Sequence, residues 1–487
     1  MSSVGATGQR SLYQIHRAKV LLSLESDFLG QEGDIARQSS LFATHRDPEK
    51  SMNRLYVVES TFSSTGAASD HRLRLQSGQV GEFLAALFIE LVDQHKLALD
   101  ASCAPLLKTL RQRVKWVKKA YAPATGVNKD FLRWVQSVAK DLIKYRGQSL
   151  VMVGESQPAH VQALGILLNS ALENIGAGKP LELYADAMDA PKGTLQDLAD
   201  AVRRGQVKAL LCSGGNPVYN APRDIDFANL LERIPFSVHH GTHVDETARK
   251  TTWYVPLTHF LEAWGDVQST EGTVSIVQPL IAPLYDAVST LEMVGYLCGQ
   301  SPKGYDLLRA YWKPKTQNFE KSWRVWLHDG LLASKEKPLT TKFSWKQLEN
   351  VWGTVPQPLA LDHFELRFVL DSKVHDGRFA NNPWLQELPD TMSKLTWDNA
   401  ALLAPASAEK LKLQNGDWVS ISLHGRSVEM PVFMTPGIAE QTIVLPLGYG
   451  REFGGRIAKG AGFDAYPLRS SRDLHFAKGA KVHSLKR

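Results

Sequence analysis

Ala209-Leu210-Leu211-Cys212-Ser213-Gly214-Gly215-Asn216-Pro217 reads as an apolar strand that stops abruptly in a glycine-rich turn. An earlier stretch, Val20-Leu21-Leu22-Ser23-Leu24-Glu25-Ser26-Asp27, ends a strand in a polar turn in the same way. Each is followed by a second apolar run. Tyr56-Val57-Val58-Glu59-Ser60 leads to Thr65, Asp70 and the alternation around Leu73 and Leu75, and Phe236-Ser237-Val238-His239-His240 leads to Thr247 and Val255-Pro256-Leu257. The plan is that of a doubly wound, nucleotide-binding-like unit present twice, which reads as an internal duplication; any two doubly wound segments share the same outline.

Outward from these repeats, the first 300 residues alternate short apolar runs with amphipathic helices, the pattern of a parallel α/β sheet. Strands are expected at Lys19 to Leu24, Leu55 to Glu59, Leu150 to Val153, Lys208 to Cys212 and Phe236 to His240. Apolar intervals of three and four place helices at Val80 to His95, Pro158 to Glu173 and Leu195 to Arg204. From Ser301 to Val355 the chain is rich in Trp and Lys, with Trp312, Trp323, Trp326, Trp345 and Trp352, and reads as a helical connector whose aromatics bury against a neighbouring domain. After Leu359 the strands are short and alternating, punctuated at Asn415-Gly416-Asp417, His424-Gly425-Arg426 and Thr435-Pro436-Gly437, as in a small β-barrel. The expected fold class is therefore α/β: two doubly wound parallel-sheet units at 1–148 and 149–300, a helical connector at 301–357 and a C-terminal β-barrel at 358–487.

Composition narrows the function. With 43% hydrophobic and 22% charged residues and a mean hydropathy of −0.22, the chain is globular, and no run nears the roughly 18 apolar residues that span a bilayer. Direct membrane insertion is not expected. The net charge of +6 is mild for 487 residues. Its main basic clusters, Arg111 to Lys119 and the tail after Arg451, accompany no nucleic-acid motif; the first is expected to be a solvated helix face. Met1 to Val20 has neither an apolar h-region nor a twin-arginine signal. The expectation is a cytoplasmic chain if it acts alone, one exported only with a partner, or one whose true start lies upstream.

Cysteine arithmetic excludes more. Cys103, Cys212 and Cys298 are the three cysteines, far apart and without a CxxC pair, so this chain cannot supply four thiolates to an iron–sulfur cluster or an all-cysteine zinc site. Buried free thiols are expected. His239-His240-Gly241-Thr242-His243, with Asp245 and Glu246, would present two histidines on one side only if helical, and Gly241 argues against that, so no metal ligand is assigned. Gly176-Ala177-Gly178-Lys179-Pro180 lacks the length and hydroxyl residue of a phosphate loop, and Val153-Gly154-Glu155-Ser156-Gln157 has Pro158 where a nucleophile elbow needs glycine. No catalytic residue is assigned. The turn at Ser213 to Pro217 remains the one natural place for a dinucleotide, because bare backbone N–H groups there can approach a pyrophosphate; a tight turn needing glycine for positive φ has the same sequence.

Asp376-Gly377-Arg378-Phe379-Ala380-Asn381-Asn382-Pro383-Trp384-Leu385-Gln386-Glu387-Leu388-Pro389-Asp390, then Thr396-Trp397-Asp398-Asn399, Leu447-Gly448-Tyr449-Gly450-Arg451 and Gly462-Phe463-Asp464-Ala465-Tyr466-Pro467-Leu468-Arg469, are long runs of uncommon residue types. They resemble the molybdopterin oxidoreductase-like half of the iron–sulfur subunit of bacterial alternative complex III, a quinol-oxidising respiratory complex of the molybdopterin oxidoreductase superfamily. Thr258-His259, Glu262-Ala263-Trp264-Gly265-Asp266, Glu271-Gly272-Thr273 and Gln278-Pro279-Leu280 extend the resemblance, which runs from Ala18 to Arg469.

The resemblance implies a fold lacking part of its first layer and the cysteine-rich ferredoxin-like half, and with them the N-terminal portion that carries the molybdenum ligand. It implies vestigial cofactor-binding positions at Glu59, Asp70, Gly214, Gly215 and Asn216, with Thr252 where the second half should carry an acid and Asp27 where it has Asn216. The implied function is a non-catalytic scaffold or assembly module with no cofactor of its own. Its implied partners are an iron–sulfur protein and separate membrane subunits, at the periplasmic face of the bacterial inner membrane. The enzyme alternative is a molybdenum oxidoreductase holding molybdopterin guanine dinucleotide and passing electrons to a separate subunit.

Overall fold

The computed structural model describes residues 9–50, 52–120, 130–185, 193–300, 303–333, 336–340, 348–352, 359–360 and 362–485. The chain forms two compact units. One comprises Met1–Met188, Pro338–Gly450 and Ala461–Arg487; the other comprises Asp189–Lys337 and Arg451–Gly460.

The first unit is built on a four-stranded parallel sheet in the order His71–Arg74, Arg54–Glu59, Val20–Leu24, Ser149–Val153. Val20–Leu24 is buried at every position, which explains its unbroken apolar run: a central parallel strand has helices on both faces and no wet side. Ser149–Val153 is the outer strand of this same sheet, paired Val20 to Ser149, so the unit does not end at 148. Parallel pairing is non-local, and no local signal in the strand records which sheet it joins.

Helix Ser77–Asp93 buries most of its length against this sheet and against the helices Ala104–Ala120, Phe131–Lys144 and Ala159–Ala171. The basic cluster there is only partly a solvated face. Arg113 turns inward, donating to Glu82 Oε2 at 2.8 Å while its guanidinium lies 4.8 Å from the Trp352 ring. Trp352, read as part of the connector, belongs to this core.

The C-terminal β-barrel is present and closed. Its six strands run Phe364–Val369, Thr442–Pro446, Ala401–Leu403, Arg426–Met434, Trp418–Leu423 and Phe476–Leu485 around the ring. Glu365 fastens it to the start of helix Ser77–Asp93, accepting from the Ser77 and Gly78 N–H groups at 2.6 and 2.9 Å, and Arg72, on the sheet, donates to the Gly437 carbonyl at 2.7 Å. Asn399 ties together the long motifs, donating to the carbonyls of Pro446 and Phe463 at 2.8 and 3.0 Å and accepting from Phe463 N at 2.7 Å.

The second unit has a three-stranded parallel sheet, Ala209–Ser213, Phe236–Gly241 and Trp253–Pro256 in that order. The stretch read as a separate connector largely belongs here. Leu331–Leu332 joins Gly265–Gln268 and Val274–Val277 in an antiparallel sheet, and Trp323 and Trp326 on helix Phe319–Asp329 bury against Val274 and Ile276. Their spacing of three places both indoles on one helix face, so the aromatics fill a core within the unit. Trp345 lies outside the described residues. Of the cysteines, Cys103 is buried, Cys212 half-buried and Cys298 exposed, so the expectation of buried thiols fails at Cys298.

Candidate functional site

Ligands of open α/β sheets bind beyond the carboxyl ends of the strands. In the second unit that place is the Gly214 turn. Gly214 has φ +76°, and beyond its chain neighbours no heavy atom of the described residues lies within 4 Å of where a Cβ would stand. Its N–H nevertheless donates to the His240 carbonyl at 2.8 Å, and the Gly215 carbonyl meets His239 Nε2 at 2.9 Å. Asn216 is equally engaged: Oδ1 accepts from Thr247 N and Oγ1 at 3.1 and 2.7 Å, and Nδ2 donates to Glu246 at 2.8 Å. Glu246 in turn takes a forked pair of bonds from Arg451, at 3.0 and 2.7 Å, while that guanidinium sits 4.6 Å from the Tyr219 ring. Burial works against the Glu246 charge, but the Arg451 bonds outweigh it and hold the carboxyl below its ordinary range.

The neighbouring histidines do not converge. His239 Nδ1 lies 3.7 Å from Asp245, whereas His240 turns its Nε2 to the Val288 carbonyl at 2.8 Å. Among the described residues no three His, Cys, Asp or Glu side chains are grouped to hold a metal ion.

Glu59 and Asp70 belong to the first unit. Glu59 is buried, accepting from Arg72 Nε at 2.5 Å and from Ser63 Oγ at 2.6 Å. Burial pushes its carboxyl up despite Arg72. Asp70 is forked by Arg46 at 2.9 and 2.8 Å and caps a strand start through Leu55 N at 2.8 Å. Thr252 does the same for Ser237 N at 3.1 Å, so the hydroxyl replaces the carboxylate in a structural role. Asp27 likewise repeats Asn216, accepting from Thr65 N and Oγ1 at 3.0 and 2.8 Å.

At the carboxyl end of the first sheet lies a crevice of about 440 Å³, walled on its other side by the barrel. Sequence reading singled out Glu59 here but missed Glu25, Glu32, Arg367 and Asp390, because they come together from separated parts of the chain. Glu25 is buried, donated to by Ser60 and Ser77 hydroxyls at 2.5 and 2.7 Å and by Gln157 at 2.7 Å, with Arg367 at 3.8 Å. Burial pushes Glu32 up to about 7. Eight carboxylates line the crevice against two arginines. A dinucleotide pyrophosphate does not fit such a lining: it would meet like charge where it needs N–H groups and cations.

No family model matches the chain. It is 24% identical over 494 aligned residues to the menaquinone reductase molybdopterin-binding-like subunit of Nitratidesulfovibrio vulgaris, covering 94% of this chain and 68% of that protein. Among solved structures it is similar to acetylene hydratase from Pelobacter acetylenicus, with a TM-score of 0.67 at 15% identity, over 98% of this chain and 79% of the other. The chain thus shares the fold of that acetylene hydratase, and its sequence is similar to a subunit whose own name marks it as molybdopterin-binding-like.

Proposed function

We propose that this chain is a non-catalytic structural subunit of a quinone-linked respiratory complex related to alternative complex III, packing against an iron–sulfur protein that carries the electrons. The observation that carries this reading is the charge of the crevice: eight carboxylates face two arginines where the fold would seat a dinucleotide. Three consistent facts support it. The named relative is a menaquinone reductase subunit; the turn residues at Gly214, Gly215 and Asn216 bond within their own unit; and three scattered cysteines cannot build a cluster. Assembly with membrane subunits at the periplasmic face belongs to the same proposal.

A second reading, a molybdopterin-dependent oxidoreductase subunit, is favoured by one observation, the open left-handed Gly214, whose bare backbone a diphosphate could approach. Co-expression separates the two. The scaffold reading expects no oxidoreductase activity from this chain alone, and quinone-linked activity that appears only with an iron–sulfur partner and fails to assemble when this chain is omitted. Oxidoreductase turnover by the isolated chain would favour the second.

A further inference from the structure

We propose that the crevice between sheet and barrel in the first unit binds a small organic cation with an apolar body and a hydrogen-bond-accepting group. The charge is the first argument. Glu25 faces Arg367, Glu59 is held by Arg72, and the buried Lys373 lies near Asp371 and Asp398, yet Asp27, Glu32, Glu155 and Asp390 remain, with Arg469 as the other lining arginine. His475 adds no charge at neutral pH, because burial pushes it down to about 4. A cavity so lined by one sign of charge concentrates cations.

Two buried groups supply the second, independent argument. Thr435 is 7% exposed and Arg367 9%; both line the crevice, and neither Thr435 Oγ1 nor Arg367 Nε has a hydrogen-bond partner among the described residues. Leaving such a group unpaired costs about 1–3 kcal/mol, which an occupant that accepts a hydrogen bond removes. Apolar side chains share the wall with hydroxyl and amide groups, among them Phe62, Phe368, Met392, Ile438 and Leu447. At about 440 Å³ the space suits a compact organic molecule. No group of three metal-ligating side chains is present among the described residues, so the cation inferred is organic.

Isothermal titration of the full chain with ethanolamine, tyramine and agmatine, against 4-hydroxyphenylacetate as the anion matched to tyramine, tests this. Saturable one-site binding is expected for at least one amine and none for the anion. The double substitution Glu155→Gln/Asp398→Asn, at side chains on the exposed side of the crevice, should weaken amine binding about tenfold by removing two charges, and Thr435→Val should weaken it several-fold. Unchanged melting temperatures establish that the variants fold, and Glu155→Gln alone replaces the double variant if that does not. Absence of saturable binding by every amine, binding of the anion as tight as the amine, or indifference to the charge substitutions would overturn the proposal. It stands apart from the scaffold reading, since co-expression decides that one and amine titration this one.

Discussion

Asn216 Oδ1 accepts hydrogen bonds from both the backbone N–H and the hydroxyl of Thr247, at 3.1 and 2.7 Å, and Thr247 Oγ1 itself accepts from Val218 N at 3.1 Å. In the first unit Asp27 takes the same pair from Thr65, and Thr65 Oγ1 accepts from Leu29 N at 3.0 Å. Three bonds repeated atom for atom, with Asp70 and Thr252 repeating a fourth, mark the two sheets as copies of one unit. They also give Asn216 a structural duty.

Thr247 is fully buried, so Thr247→Val strands the Val218 N–H and takes from the Asn216 side-chain oxygen one of its two donors, leaving the backbone N–H of residue 247. A loss of about 1–3 kcal/mol in urea unfolding is expected, whereas Thr247→Ser should retain most of the stability. Asn216→Asp should cost a comparable amount, because the new carboxylate would face Glu246 where the amide now donates to it.

The Arg451–Glu246 pair is shielded, with side-chain exposures of 6% and 11%, and Glu246 also accepts from Glu452 N and Phe453 N at 3.1 and 3.0 Å. Arg451→Ala is expected to destabilise by about 3–5 kcal/mol, since the carboxylate is left buried without its cation. Arg451→Lys should recover only part of this: an ammonium keeps the charge but neither the fork nor the stacking on Tyr219. Thermal melting of both variants measures the difference.

Arg113 and Glu82 form a comparable buried pair in the first unit. Glu82→Gln is expected to cost about 3–5 kcal/mol, with Trp352 fluorescence shifting as the guanidinium above it loses its partner. A cost near zero would mean that the cation–π contact and the Trp352 carbonyl suffice to hold Arg113.

These pairs also show what the sequence could convey. Val20–Leu24 was legible because a central parallel strand is an apolar run, Ala209–Ser213, an edge strand, because its apolar run stops in a glycine-rich turn, and the barrel because its turns need Gly, Asn and Pro. The sheet to which Ser149–Val153 belongs was not, since pairing between distant strands leaves no local trace. Arg113 read as one more cation on a basic helix, its buried partner lying on another helix. At the candidate site the turn glycines, Glu59 and Asp70 were found as residues, but their internal partners and the acid-lined crevice exist only once the chain is folded.

The crevice predicts a pH dependence. Burial raises Glu32 to about 7 in the folded chain from an ordinary value of 4.5. The folded state then binds this proton more tightly than the unfolded state. Its stabilising contribution is full below pH 4.5, declines as pH rises and is lost above 7. Glu32→Gln should flatten the fall in stability across that window, by an amount on the order of 1–3 kcal/mol. Urea titrations at several pH values would show it, and an unchanged slope would mean that Glu32 titrates normally.

Metal and pterin content of the purified chain tests the central claim most directly. Elemental mass spectrometry for molybdenum and tungsten, with fluorescence of the oxidised pterin on the same sample, should find neither in stoichiometric amount in well-folded protein. One molybdenum or tungsten per chain, accompanied by pterin, would contradict the scaffold account and make the Gly214 turn part of a working cofactor site.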